Sequence, residues 1–256
     1  MKNRVLKRSN TWLLALWICF HPALGLAWHD ETHIAIAKAA GYEKWFNAAG
    51  ADITKIKAGD IEKRNHYVYN PSTTIVTAQM VLGQADRYNV PHDTQGHLYG
   101  AIIAATRAYR TTTQSGKYAE YHMAFCAHYV GDLSQPLHNI LYSPYNQQYH
   151  TATDGIINHE VLNNLSLIEM YPIEIRSEMD LANEIARIAN LSLKLGYWLE
   201  KEERILSRQE AYEQLSHSAS LLRAILTFVK GSGGVGDDRL DLPTGPPALN
   251  QQTPHQ

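Results

Sequence analysis

The amino-acid sequence predicts a single all-α domain, a bundle of many helices, and three observations support this. Hydrophobic residues recur with helical spacing along most of the chain, Ala-rich stretches such as residues 100–109 favour helices, and no segment shows the sustained alternation of a β-strand. The candidate helices cover residues 29–40, 43–49, 73–87, 94–113, 117–134, 157–170, 179–202 and 208–230. Loops are expected between them, where Pro, Gly, Asn and Ser cluster.

Both ends of the chain are predicted to lie outside the domain. Residues 1–27 have four basic residues, a short apolar run and small residues before Trp28, the pattern of a signal peptide cleaved before that Trp. The apolar run is too short for a retained membrane anchor. Residues 231–256 contain four prolines and are predicted to be a disordered tail. The domain is therefore expected at 28–230, in a protein exported to the periplasm or secreted.

Charge and cysteine content limit the function. Without residues 1–27 the chain has 19 Lys and Arg against 25 Asp and Glu, which argues against gripping a long nucleic-acid backbone by charge alone. Only Cys126 remains after cleavage, so no intramolecular disulfide can form. Nothing in the composition implies an obligate protein partner, and a monomer is expected.

The most informative segment is HYVGDLSQPLH, residues 128–138. Residues four apart lie on one face of a helix, so His128 and Asp132 should project side by side. Pro136 cannot continue the helix, so the chain is expected to bend just before it and return His138 toward the same space. Two imidazoles and a carboxylate buried together are typical of a metal site.

Further candidate ligands stand elsewhere in the chain. After cleavage, Trp28 would present a free α-amino group that can chelate a metal together with its own carbonyl oxygen. The remaining candidates are His33 on the first predicted helix, Asp60 and His66 on either side of a short polar segment, and His159 with Asn163, four residues apart.

In this order, these residues resemble the zinc-dependent phospholipase C and single-strand-specific nuclease superfamily. In that family a signal peptide is cleaved before a Trp ligand. A His, an Asp and a His, the His-x-x-x-Asp-x-x-x-x-x-His block, and a final His-x-x-x-Asp/Glu then follow. The match runs over roughly residues 28–165 and implies the all-α bundle of that family with three zinc ions.

The resemblance also implies which residues hold each zinc ion. The first would be held by Asp60, His66, His128 and Asp132. The second would be held by Trp28, through its amine and carbonyl, and by His33, with Asp132 as a bridge. The third would be held by His138, His159 and position 163. Asn163 stands where the family has Asp or Glu, and an amide is the poorer ligand, so Glu160 or the pair His150 and Asp154 stay open as alternatives.

The activity implied by the resemblance is hydrolysis of a phosphate diester without an organic cofactor. Asp60 is expected to orient or deprotonate the attacking water. Glu31 matches a position that helps to bind choline in the phospholipases, and Tyr67 matches the aromatic residue on which the nucleases stack a base. Size, cysteine count and charge favour phospholipase C-type cleavage of phospholipid head groups at a membrane surface. The alternatives are a nuclease or 3'-nucleotidase acting on single-stranded nucleic acid, and a zinc-binding protein without catalysis.

Overall fold

The computed structural model describes residues 28–112 and 117–231 of the chain. Within these residues it contains nine α-helices and no β-strand, so the predicted all-α fold class is confirmed. The predicted signal peptide lies outside the described residues, as does the predicted tail beyond residue 231. No helix of the described part is long and apolar enough to cross a membrane.

The helices are numbered in chain order. They are α1 (Asp30–Ala40), α2 (Gly50–Ala58), α3 (Asp60–Lys63), α4 (Ala78–Ala85), α5 (Leu98–Thr111), α6 (Lys117–Ser134), α7 (Pro144–Asp154), α8 (Glu178–Glu202) and α9 (Arg208–Gly231). Short 3-10 turns between them cover Trp45–Asn47, Arg64–His66, Pro136–His138, Val161–Asn163 and Leu165–Leu167.

Helix α6 lies at the centre of the molecule. It contacts α1, α2, α5, α8 and α9, and every residue from 123 to 140 is buried. Because a helix that is buried on all sides has no solvated face, any polar side chain on it must find its partners inside the protein. The His and Asp residues of α6 are therefore placed where only neighbouring helices can satisfy them.

The helix predicted at residues 157–170 is wrong, because this segment contains only two 3-10 turns. Two asparagine side chains of this segment make hydrogen bonds that do not belong to a helix. The Asn164 side chain donates to the Glu160 carbonyl at 2.8 Å, and that of Asn158 donates to Glu31 at 2.8 Å. Asparagine side chains that bond to nearby backbone groups compete with helix formation.

Helix α7 lies where the sequence predicts a loop around residues 143 and 144. The Ser143 hydroxyl accepts a hydrogen bond from the Asn146 amide at 3.3 Å, and Pro144 occupies the first turn. A Ser cap followed by Pro is a favourable helix start, since Pro lacks only an N–H that the first turn leaves unpaired. Helix α7 carries His150 and Asp154, two residues of the candidate site.

The Glu210 side chain stabilises the connection between α8 and α9. Its carboxylate accepts hydrogen bonds from the Arg204 guanidinium at 2.8 and 2.7 Å and from the Ser207 amide at 2.8 Å. The bonds from Arg204, with those from Ser207, lower the pKa of Glu210 to about 2. The carboxylate therefore stabilises the fold as long as it stays ionised.

We expect Glu210→Gln to lower the melting temperature of the metal-free protein near pH 7 by a few degrees. The folded-state pKa lies below the ordinary value of 4.5, so this contribution is present above about pH 4.5 and is lost as the pH falls toward 2. Thermal unfolding followed by circular dichroism at a series of pH values measures it. Glu213→Gln, at an exposed position of α9, is the matched control. A Glu210→Gln deficit that stays constant down to pH 2 would contradict the assignment.

Candidate metal centre

Two turns of α6 place His128 and Asp132 on one fully buried face. The His128 Nε2 atom lies 3.4 Å from Asp132 Oδ2. Helix α6 ends at Ser134 and a 3-10 turn begins at Pro136, so the predicted break before the proline is confirmed. This turn returns His138 to within 3.9 Å of Asp132, measured from Nδ1 to Oδ1. The local sequence thus brings all three side chains to one space.

Helix α1 contributes His33 to a first group, which we call the α1 group and which consists of His33, His128 and Asp132. The His33 ring stacks on that of His128, with centroids 3.8 Å apart and planes 14° apart. Its Nε2 atom lies 3.4 Å from Asp132 Oδ1. Gly131 makes room for this ring, since a Cβ atom at that position would lie 2.7 Å from His33 Cε1. Neither nitrogen of His33 has a hydrogen bond.

Helix α2 and the turn Arg64–His66 supply the α2 group, which consists of Asp52, His66 and His128. The His128 Nε2 atom lies 3.4 Å from Asp52 Oδ1 and 3.2 Å from His66 Nδ1. The Asp132 carboxylate reaches this group as well, because its Oδ2 atom is 2.8 Å from His66 Nδ1. Asp132 therefore turns one oxygen to the α1 group and the other to the α2 group.

Helix α7 supplies His150 and Asp154 to the α7 group, which His138 completes. The two Nε2 atoms of His138 and His150 are 3.0 Å apart, and Asp154 Oδ2 lies 3.4 Å from His150 Nε2. Asp154 is fully buried, and its Oδ2 atom has no hydrogen bond.

The hydrogen bonds of the α7 group fix which ring nitrogens carry protons. His138 Nδ1 faces the backbone carbonyl of His66, which can only accept, so this nitrogen is the donor. His150 Nδ1 donates to the Asn146 side-chain oxygen at 2.7 Å. In the neutral rings both Nε2 atoms therefore carry lone pairs, and these point at each other and at a carboxylate. Burial raises the pKa of Asp154 well above its ordinary value, and a cation between these groups would favour the ionised carboxylate and satisfy the lone pairs.

The same reasoning applies to the α2 group. His128 Nδ1 donates to the Ala48 carbonyl at 2.8 Å, and His66 Nε2 lies 3.2 Å from Glu62 Oε1. In the neutral rings, the remaining nitrogens would be acceptors that face each other and the carboxylates of Asp52 and Asp132. Each of the three groups could therefore hold a metal ion, and the α1 and α2 groups share His128 Nε2, which can bind one ion at a time. Nitrogen and oxygen donors without sulfur suit zinc and other borderline divalent cations.

The pKa values reflect this concentration of acceptors. Burial opposes the charged form of His128, but the carboxylates of Asp52 and Asp132 outweigh it and raise its pKa to about 10. In the α7 group burial prevails, and it lowers the pKa of His138 to about 4 and that of His150 to about 3. The imidazoles of the α7 group are therefore neutral near pH 7 and offer free lone pairs to a cation.

Outer contacts hold the ligands in place. Glu62, which is buried, accepts a hydrogen bond from the Tyr129 hydroxyl at 2.7 Å and orients His66 through Nε2. The Gln135 amide group donates to Asp154. Carboxylate and amide partners of this kind fix the ring orientation of metal-binding histidines and raise their basicity.

A lysine completes the site. Lys55 lies one turn after Asp52 on α2, and its ammonium group contacts Asp52 Oδ1. Its charge also lowers the pKa values of His138 and His150, although burial contributes more. Lys55 and His150, with 14% and 12% of their side chains exposed, form the most accessible edge of the cluster, which we call its mouth.

Three predicted ligands are not brought to the cluster in the described part of the chain. Asp60, His159 and Asn163 are exposed. Gly59, with φ of +63°, separates α2 from α3 and places Asp60 at the start of the second helix. His159 and Asn163 do not share a helix face, because their segment is not helical. Their places are taken by Asp52, His150 and Asp154.

Of the two alternatives to Asn163, the structure favours His150 with Asp154. Glu160 instead pairs with Arg208 at 2.5 Å. The spacing of His150 and Asp154 repeats that of His128 and Asp132, and this was a usable signal in the sequence. Asp52, Lys55 and Glu62 carried no such signal.

The other predicted residues lie close in sequence to the cluster. Trp28 is fully buried and directly precedes the segment that leads into α1. Glu31 accepts a hydrogen bond from Asn158. Tyr67 follows His66 and stacks on Tyr69, with centroids 4.1 Å apart. Tyr69 in turn stacks on Tyr142 at 5.7 Å.

We expect Gly131→Ala to displace His33 and to reduce the zinc bound per chain, because the new methyl group would occupy the position of the imidazole. Atomic absorption on the folded protein after dialysis measures the bound zinc. Gly83→Ala is the control, since a Cβ atom at this position on α4 meets nothing within 4 Å. Full zinc content in Gly131→Ala would argue against His33 as a ligand.

We expect Asp154→Asn to weaken zinc binding at the α7 group by at least about 10-fold, since even outer-shell changes cost about 10- to 100-fold in metal affinity. Competition with a chromogenic chelator measures the affinity. Asp60→Asn should bind zinc like the wild type. The reverse result would restore Asp60 and remove Asp154 from the ligand set.

No protein-family model matches this chain, and no curated protein matches it. The candidate centre therefore rests on its own geometry: three groups of His and Asp side chains that share ligands around one buried carboxylate.

Proposed function

We propose that this chain is a zinc-dependent phosphoric diester hydrolase, related to the zinc-dependent phospholipase C and nuclease superfamily and active after export. The observation that carries the proposal is the sharing of Asp132 between the α1 and α2 groups, with the α7 group alongside. A structural zinc site is usually closed by four protein ligands, whereas the three groups together contain eight side chains, too few to close three such sites.

When bound, zinc would supply Lewis-acid chemistry, acidifying water and withdrawing electron density from a phosphoryl group. The side chains of this chain provide the rest. Asp52, held by Lys55 beside His128, would orient the attacking water, part of the role expected of Asp60 from the sequence. Lys55 would bind a phosphoryl oxygen and stabilise the negative charge that grows on it.

We favour phospholipid head groups as the substrate. The net acidic charge of the predicted mature chain and its single remaining cysteine support this choice. The amide of Asn163 would be a poor ligand for the third zinc ion. In the α7 group Asp154 provides a carboxyl group instead. A catalytic site is thus a better proposal than a zinc-binding protein without turnover.

A nuclease acting on single-stranded nucleic acid is the second candidate, and one observation favours it. Tyr67, Tyr69 and Tyr142 form a stack of near-parallel rings, and Tyr67 immediately follows the ligand His66. Aromatic side chains beside a phosphodiesterase centre can stack on unpaired bases.

We expect the zinc-loaded mature protein to hydrolyse bis(p-nitrophenyl) phosphate, to lose this activity with a chelator and to regain it with zinc. Asp132→Asn should lower kcat/KM by more than about 100-fold, since even outer-shell changes at zinc sites cost about 10- to 100-fold. The exposed Glu213→Gln is the control.

Phosphatidylcholine and single-stranded DNA, assayed side by side with the same preparation, separate the two candidates. Faster turnover of the phospholipid is expected. Bound zinc with no hydrolysis of any of the three substrates would falsify the proposal that the protein is an enzyme.

A further inference from the structure

The outer face of α2 exposes two large aliphatic side chains. Ile53 is 64% exposed and Ile56 is 83% exposed, and they lie three residues apart on one side of the helix. Single exposed hydrophobic residues are common, but two neighbouring isoleucines on a helix of nine residues form a local apolar face. Phe46, four residues before α2, is exposed as well.

This face borders the mouth of the metal centre. Asp52 and Lys55 are the residues directly before Ile53 and Ile56, and successive residues on a helix are about 100° apart. Side chains of the cluster that water reaches most easily are Lys55 and His150, at 14% and 12% exposed. The centre is therefore most accessible at Lys55 on α2 and His150 on α7, and the two isoleucines lie beside Lys55 on the outer face of α2.

Charges around the face suit a phospholipid surface. Lys57 is exposed next to Ile56, and Lys63 is exposed at the end of α3; Asp60 is the exposed acidic residue between them. Ammonium groups can pair with lipid phosphates while isoleucines enter the acyl region. An aliphatic side chain cannot stack on a nucleobase, so the same face offers little to nucleic acid.

We propose that Ile53, Ile56 and Lys57 form a docking surface for a phospholipid bilayer, which places the mouth of the metal centre against the lipid head groups. The inference deepens the proposed function by assigning the interface at which the substrate is met. The occupant is a lipid surface, and not a second copy of the chain.

Vesicle binding tests the surface without requiring turnover. The zinc-loaded mature protein is sedimented with unilamellar phosphatidylcholine vesicles, and we expect it to bind. Transfer of one isoleucine side chain to hydrocarbon contributes about tenfold or more in partition. Ile56→Ser should therefore lower the partition coefficient by about tenfold, and the double variant Ile53→Ser/Ile56→Ser by about 100-fold. Ile75→Ser is the matched control, because Ile75 is 77% exposed in the segment before α4.

Each outcome of the vesicle experiment either supports or overturns the proposed docking surface. Loss of binding in the α2 variants, with the control unchanged and all variants folded by circular dichroism, supports the surface. The proposal is overturned if the wild type does not bind vesicles, or if the double variant binds as well as the control. It is also overturned if sedimentation velocity shows a dimer that the double variant dissociates, because the face would then be a protein interface. Failure of the proposed function is a separate result, namely no hydrolysis of bis(p-nitrophenyl) phosphate by the wild type.

Discussion

The buried carboxylate of Asp132 is the constraint around which the molecule is arranged. A charge in the buried part of a helix is costly unless nearby groups compensate it. Four imidazoles from three parts of the chain lie between 2.8 and 3.9 Å from its oxygens, those of His33, His66, His128 and His138. The packing of α1 and of the Arg64–His66 turn against α6 is therefore tied to this one side chain, and Gly131 leaves room for the approach of His33.

A second layer of contacts makes the centre rigid. The Ala48 carbonyl, Glu62 and Asn146 each hold one imidazole nitrogen, so that the other nitrogen is directed inward. Ligands whose rotamers and tautomers are already fixed lose little freedom on binding an ion. The repulsion among these acceptors is unfavourable, and the packing of the large hydrophobic core around α6 offsets it.

The block at residues 128–138 could be predicted from the sequence because everything it needs is local. Helical spacing pairs His128 with Asp132, and Pro136 ends the helix whatever the rest of the chain does. Asp52 could not be found in this way. It reaches His128 only because α2 packs on α6, a contact between distant parts of the chain that no short motif records.

Two pairs of residues with the same spacing show the same limit of prediction from sequence. His150 with Asp154 and His159 with Asn163 have equal spacing, so spacing alone cannot rank them. What separates them is whether the backbone is helical there, which depends on the Ser143 cap in one case and on competing asparagine side chains in the other.

The wide separation of the ligands along the chain has a consequence for folding. They extend from His33 to Asp154, and bound ions would tie α1, α2 and α7 to the central helix. An ion that joins ligands far apart in the sequence closes a long loop of the chain. The entropy cost of closing a loop increases only slowly with its length. In a chain whose predicted mature form holds one cysteine, bound ions would thus act as cross-links, as disulfides do in many exported proteins.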